Sequence, residues 1–274
     1  MTSYLSEQQI TQFDQQGFLL IPGAIDRAQV LEMTEGFARV EQSIVKQHGA
    51  GHIESDILFD QSITPLSLGR INQLYRYMPN VVLALLRNNA ILGAVEALCG
   101  DGALPVYESL LYKHLGSSYD VIWHQDMLHP RDSRIVTCGL YLDDASVDEG
   151  ALQVIPGSQH QPQRFSQAGD AADFDQRAVP LSVSAGDLLI HDVMVLHDSL
   201  PLQAQQQRRT LYMEFRSLAH LQNNPRYPSA WVEQRQQLMS MAQQDKLIDA
   251  EVLYRHEPRV EPANYGMADI EQSG

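Results

Sequence analysis

After residue 104 the chain becomes a succession of short β-like runs with nothing helical between them. They are "LPVYESLLYKHLG", "SRIVTCGLYLDD", "GALQVIPGS", "VPLSVSAGDLLIHD" and "RRTLYMEFRSL", separated by Gly, Pro, Asp and Ser. Short strands joined by turns, without intervening helices, predict an antiparallel barrel or jelly roll. This is the strongest constraint the sequence places on the fold.

The upstream third has a different period. "SEQQITQFDQQGF" places Gln9 three residues after Ser6, a capping-box pattern that predicts a short helix. "GFLLIPG" predicts a short buried strand ended by Pro22 and Gly23. From Asp26 to about His48 the apolar residues Val30, Leu31, Met33, Phe37, Val40 and Ile44 keep a helical period. Residues 78–99 are helical again, split by two asparagines, and a last helix is predicted over 229–245, started by Ser229. The expected architecture is one α+β domain over 1–274. It has a mainly helical part (1–103), a jelly-roll core (104–218) and a helical tail (219–274).

Composition narrows the partners. The formal charge is −15, which repels nucleic acid and anionic membranes, so neither is expected as a partner. The first residues show no basic n-region and no apolar h-region, and no apolar run reaches a membrane span, so a cytoplasmic enzyme is expected. Cys99 and Cys138 make no disulfide framework, which fits a reducing compartment.

Of ten histidines, His124 stands out in "VIWHQDMLHP", because Asp126 follows at H-x-D spacing. In an extended strand both side chains point to one face and reach one ion. A pair at i, i+2 leaves the site open, and His197 in "LLIHDVMVLHDSLP" is the candidate third ligand. Two imidazoles and one carboxylate form the facial triad of non-haem Fe(II) oxygenases. His191 competes with His197, but lies within the run rather than at its end. Arg208 comes eleven residues after His197 and opens a strand, as an arginine holding a carboxylate would. Arg209 is its alternative, since alternation turns only one of the two inward.

These residues resemble a known family. "FDQQGFLLIPGAI", "WHQD", "DEGALQVIPGSQH", "GDLLIHDVMVLHDS" and "RRTLYMEF" are similar, in order and spacing, to the motifs of the phytanoyl-CoA dioxygenase family of Fe(II)- and 2-oxoglutarate-dependent oxygenases. The resemblance implies a double-stranded β-helix, a cupin-like jelly roll with flanking N- and C-terminal helices. It implies Fe(II) on His124, Asp126 and His197, with 2-oxoglutarate and O₂ as co-substrates. Arg208 then holds the distal carboxylate of 2-oxoglutarate, while Lys113, Ser199 and Met127 match positions lining that pocket. Gly139 stands where some members carry tryptophan. "LGRINQLYRYM" resembles the segment over the active-site mouth, which makes Arg70, Asn72, Gln73 and Tyr75 substrate-contact candidates; a plain surface helix explains them equally. His129 is a further candidate.

The activity implied is hydroxylation of an unactivated C–H bond of a small metabolite, with release of succinate and CO₂. Related halogenases carry a small residue where Asp126 stands. An acyl-CoA hydroxylase, a desaturase or cyclase of the same family, and a non-catalytic jelly-roll metal-binding protein are the alternatives. CoA is polyanionic and fits the acidic chain poorly. The interior is expected to be mainly apolar, and the protein a monomer or homodimer.

Overall fold

The structure is a computed structural model that describes residues 4–51, 54–118, 121–127, 133–161 and 170–255. In chain order its elements are α1 (Glu7–Gln16), β1 (Phe18–Ile21), α2 (Arg27–Gly49), β2 (Ile57–Asp60), β3 (Ser67–Asn72), α3 (Pro79–Leu85) and α4 (Asn89–Cys99). There follow β4 (Leu104–His114), β5 (Val121–His124), β6 (Ile135–Tyr141), β7 (Leu152–Ile155), α5 (Asp170–Arg177), β8 (Val179–Leu181), β9 (Leu188–Asp192), β10 (Leu196–Ser199) and β11 (Gln207–Arg216). The chain continues through α6 (Leu218–Asn223), α7 (Ser229–Gln243) and α8 (Ala250–Leu253).

Local chemistry sets the helix ends. Ser6 Oγ accepts from the Gln9 amide at 3.2 Å while Gln9 Oε1 accepts from the Ser6 amide at 3.0 Å, which is the capping box read from the sequence. The break in the 78–99 pattern falls where Asn88 caps α4 by accepting from the Ala90 and Ile91 amides. Helix α7 starts at Ser229 with Pro228 as its N-cap, so the start is set by the proline's fixed φ rather than by a serine side-chain cap.

The strands form two antiparallel sheets, one of seven strands in the order β1-β9-β6-β11-β4-β3-β2 and one of four in the order β5-β10-β7-β8. This is a jelly-roll sandwich, with helices packed on the outside of the larger sheet. Strand β11 shows how the layers are sorted. Leu211, Met213 and Phe215 are fully buried in the core shared with α2, α3 and α4. Burial of each such side chain contributes roughly 1.5–3 kcal/mol. Arg208, Thr210, Tyr212 and Glu214 alternate with them and face the smaller sheet. A second, smaller core (Val154, Leu189 and Val195 among its members) joins the two sheets.

The 1–103 stretch is mainly helical and supplies the expected strand β1, together with β2 and β3, to the larger sheet, with β1 paired to β9 and β3 to β4. "LGRINQLYRYM" is therefore not a surface helix: Arg70, Ile71 and Asn72 pair with Leu111, Leu110 and Ser109, and only 74–76 turn into a 3-10 helix. Cys99 and Cys138 are free and buried. Among the described residues no single helix is long and apolar enough to cross a membrane.

Candidate metal centre

The run "LLIHDVMVLHDSLP" is divided by a corner. Asp192 Oδ1 accepts from the Met194 amide at 2.8 Å and its carbonyl accepts from the Val195 amide at 2.8 Å. This Asx-type turn carries the chain from β9 in the larger sheet to β10 in the smaller one. His191 and His197 therefore stand on opposite sheets, with ring centroids 4.6 Å apart. Strand β10 pairs antiparallel with β5, which sets His197 directly across from His124. Asp126 completes the group: one ligand atom each from His124, Asp126 and His197 lie within 4.8 Å of one another.

Asp126 does not sit in an extended strand, because β5 ends at His124. Gln125, only 3% exposed, holds the bend from behind. Its Nε2 donates to the carbonyls of Ser158, Gln161 and Met194.

Hydrogen bonding prepares all three groups for a cation. His124 Nδ1 lies 2.8 Å from the Ile122 carbonyl, and His197 Nδ1 lies 2.9 Å from the Val195 carbonyl. A carbonyl can only accept, so each Nδ1 carries the proton and each Nε2 presents a lone pair. Asp126 divides its oxygens. Oδ1 lies 3.5 Å and 3.8 Å from Nε2 of His124 and His197. Oδ2 accepts from Thr137 Oγ1 at 3.2 Å and lies 3.2 Å from His191 Nε2. Burial works against the charge on Asp126, but its contacts with His124 and His191 outweigh it and hold the carboxyl well below its usual range. Burial, reinforced by His124, pushes His197 down to about 3. For His124, burial is more than offset by Asp126, which raises the imidazole. An ionised carboxylate beside a neutral His197 is the donor set a divalent transition metal takes, so the residues fit iron.

Strand β11 carries a second unusual feature. Arg208 is fully buried, and its Nη1 donates to the Gly150 carbonyl. Among the described residues its Nε and Nη2 have no hydrogen-bond partner, nor do Ser199 Oγ and Thr210 Oγ1. A buried guanidinium with two orphaned donors is costly unless an anion completes it, so these residues fit the distal carboxylate of 2-oxoglutarate. Arg209 is turned the other way, where Asp143 takes it bidentately at 2.8 and 2.9 Å. Lys113 pairs in register with Arg208, but its Nζ donates to the Ser199 carbonyl at 2.7 Å and to that of Leu200. It fastens β4 to the end of β10. Gly150, at φ +76°, allows this: a Cβ there would stand 3.2 Å from Lys113 Cδ and 2.8 Å from Leu202 Cδ2. Met127 packs on Ile135, Val193 and Met194 beside the corner.

The histidines and Asp126 open into a cleft. Leu111, Val121 and Leu152, with the rings of Tyr107 and Tyr212, make most of its exposed wall apolar. Arg70, Thr137 and Glu214 make most of the remaining wall. The space left by Gly139 is taken by Tyr212, whose Cε1 lies 2.9 Å from where a Cβ would be. Of the other substrate candidates, Asn72 Oδ1 accepts from Tyr107 OH at 3.3 Å, and Gln73 Oε1 accepts from Arg76 Nε at 2.6 Å. Tyr75 is 1% exposed in the helix-side core, with its OH donating to the Ile248 carbonyl at 2.8 Å, so it stands away from the cleft. His129 lies outside the described residues.

Comparison with known proteins agrees with this arrangement. The family model described as Phytanoyl-CoA dioxygenase (PhyH) matches residues 13–210. A methylphosphonate hydroxylase from Gimesia maris is 24% identical over 226 residues, covering 80% of this chain and 84% of its own. An L-proline trans-4-hydroxylase from Streptomyces griseoviridis is 36% identical over 89 residues, which are 29% of this chain and 32% of its own. Among solved structures, EctD from S. alaskensis with 2-oxoglutarate and 5-hydroxyectoine superposes with a TM-score of 0.67 at 16% identity, over 79% of this chain and 77% of its own.

Proposed function

The chain belongs to the phytanoyl-CoA dioxygenase family of iron- and 2-oxoglutarate-dependent oxygenases, and from that premise we propose that it hydroxylates an unactivated C–H bond of a small polar metabolite. His124, Asp126 and His197 would hold Fe(II), and Arg208, with Ser199 and Thr210 beside it, would hold the far carboxylate of 2-oxoglutarate. Bound iron supplies the oxidising chemistry that couples O₂ and 2-oxoglutarate to hydroxylation, with succinate and CO₂ as by-products.

The protein's own part is positioning. The two Nδ1–H···O=C bonds keep both imidazole rings aimed at one point. His191 and Thr137 hold Asp126 Oδ2, so that Oδ1 is the oxygen offered. Three protein ligands would leave a bound iron ion with positions free for co-substrate and oxygen. The low dielectric around Arg208 strengthens its grip on a carboxylate. Relatives whose names specify methylphosphonate and L-proline as substrates favour a small polar substrate over a long acyl chain.

The observation that carries this reading is Arg208, fully buried on the inward face of β11, whose Nε and Nη2 have no hydrogen-bond partner among the described residues. Anaerobic titration tests it. Fe(II) followed by 2-oxoglutarate is expected to produce a visible charge-transfer band that neither gives alone. Arg208→Met is expected to weaken 2-oxoglutarate about 100-fold, roughly the cost of a lost bidentate charge pair. A wild-type protein that binds both and shows no band overturns the proposal.

A further inference from the structure

The inward positions of β6 are Thr137, Gly139 and Tyr141, and Gly139 pairs in register with Tyr212 on β11. The Tyr212 ring lies across β6 at this point. A Cβ on residue 139 would stand 2.9 Å from Tyr212 Cε1, closer than carbon atoms pack. With no side chain beneath it, the ring fills the gap between Thr137 and Tyr141. Those two neighbours belong to different groups. Thr137 Oγ1 donates to Asp126 Oδ2 at 3.2 Å, at the metal ligands. Tyr141 pairs with Thr210, and the Arg208 guanidinium lies over its ring, 5.4 Å from the centroid. Burial first, and then the nearby Tyr212 hydroxyl, push the Tyr141 phenol up, so the Tyr212 side chain reaches toward the Arg208 end. Thr137 and Tyr141 are about 13 Å apart along the strand, and Tyr212 stands between the metal group and the Arg208 group.

The function proposed above needs a co-substrate that reaches from the metal ligands to Arg208. Resting on that reading, we infer that the Tyr212 ring, seated on Gly139, is the specificity-determining wall for this co-substrate: it carries the methylene chain and sets the chain length accepted. Both ends of 2-oxoglutarate meet charged or polar partners, but the two methylenes between them need an apolar surface. Tyr212 supplies one on the inward face of β11, where Arg208, Thr210 and Glu214 are all polar, and its ring lines the cleft. Leu111, Val121 and Leu152 line the same cleft. Val121 and Leu152 flank Ser199 in register on the smaller sheet, so aliphatic side chains also surround that hydroxyl. A ring wedged against backbone, with only two rotatable bonds of its own, does not give way to a longer guest. A four-carbon 2-oxo diacid then falls short of Arg208, and a six-carbon one must press its extra methylene on the ring.

The test titrates the anaerobic Fe(II) protein with oxaloacetate, 2-oxoglutarate and 2-oxoadipate, of four, five and six carbons, and follows the visible band. The wild type is expected to bind 2-oxoglutarate about tenfold tighter than either of the others. Tyr212→Ala is expected to close the gap to 2-oxoadipate to about threefold or less, while Tyr212→Phe, which keeps the ring, preserves it. Gly139→Ala drives the ring into the cleft and should weaken binding in order of chain length, 2-oxoadipate most and oxaloacetate least. Adding Tyr212→Ala to Gly139→Ala should remove that penalty, because the new methyl then meets no ring. Co(II) affinity, measured by calorimetry, should stay within about twofold of wild type in every variant, since no metal ligand is touched. Absence of the band in the wild type overturns the functional reading and this inference with it. A normal band with no preference among the three acids, or with the same preference in Tyr212→Ala, overturns this inference alone. So does an equal loss of all three acids, or a loss of Co(II) binding, in Tyr212→Ala, the mark of a merely structural role. If Tyr212→Ala does not fold, Gly139→Ala decides: three affinities that fall equally overturn the inference.

Discussion

A carboxylate ligand has two oxygens, and His191 settles which one Asp126 offers. Its Nε2, at 3.2 Å, occupies Oδ2 together with Thr137. Without His191 the carboxylate is free to rotate, and Oδ1 loses its fixed aim. His191→Ala is therefore expected to weaken Fe(II) or Co(II) binding about 10- to 100-fold, the usual effect of removing a group that orients a ligand. His191→Gln, which keeps an N–H donor, should recover part of the loss. Calorimetric titration of the two variants checks this, and unchanged affinity in His191→Ala would refute the role. At this scale the sequence reveals what depends on local spacing. H-x-D and the arginine opening a strand are visible because alternation and ligand chemistry act within a few residues. Gln125, Thr137 and Tyr212 escape notice, and His191 reads only as a competing ligand, because their parts are set by cross-strand register and by the bend after β5. The polar alternation Arg208, Thr210, Tyr212, Glu214 is the one signal that would have found Tyr212 and Glu214.

The elements that matter most are short, and a few tight joints hold them in place. Gly186 ends the turn before β9 at φ +97°, and a Cβ there would stand 2.5 Å from the Ile25 carbonyl oxygen. Asp187 beside it ties the same corner to the end of β1, accepting from the Gly23 and Ser184 amides at 2.8 Å each. Gly186→Ala combines left-handed strain with a backbone clash and is expected to cost about 2–4 kcal/mol. That lowers the melting temperature by roughly 5–10 °C, measurable by circular dichroism; a shift under 1 °C would contradict it. The β-like runs were legible from composition and turn residues. The division of "LLIHDVMVLHDSLP" into two strands on different sheets was not. Its apolar residues continue through the corner, and only the Asp192 side chain marks the turn. The four-residue strand β2 shows why part of the N-terminal region goes unread: it gains its stability from pairing with β3, not from a long pattern of its own.

At the scale of the whole molecule, the layers follow from two alternating faces. One face of the larger sheet is apolar and packs on helices, and the other carries the polar residues of the cleft and faces the smaller sheet. The sequence predicted the sandwich and its helical cover; the polar residues among its inward-facing positions were harder to place, because counted singly they resemble solvated strand ends. The triad also spans the sandwich. His124 and His197 stand on the smaller sheet, while the larger sheet grips Asp126 through His191 and Thr137. An ion there acts as a rivet between two layers that otherwise meet through only a small core. Local opening of the mouth should then be metal-linked. Amides of β5 and β10 are expected to exchange with deuterium at least tenfold faster after chelation, while those of β4 and β11, deep in the larger sheet, change little. Equal rates with and without metal would rule this out. In such a protein the iron site is also a clasp, and losing the cation would loosen the architecture at the place where substrate enters.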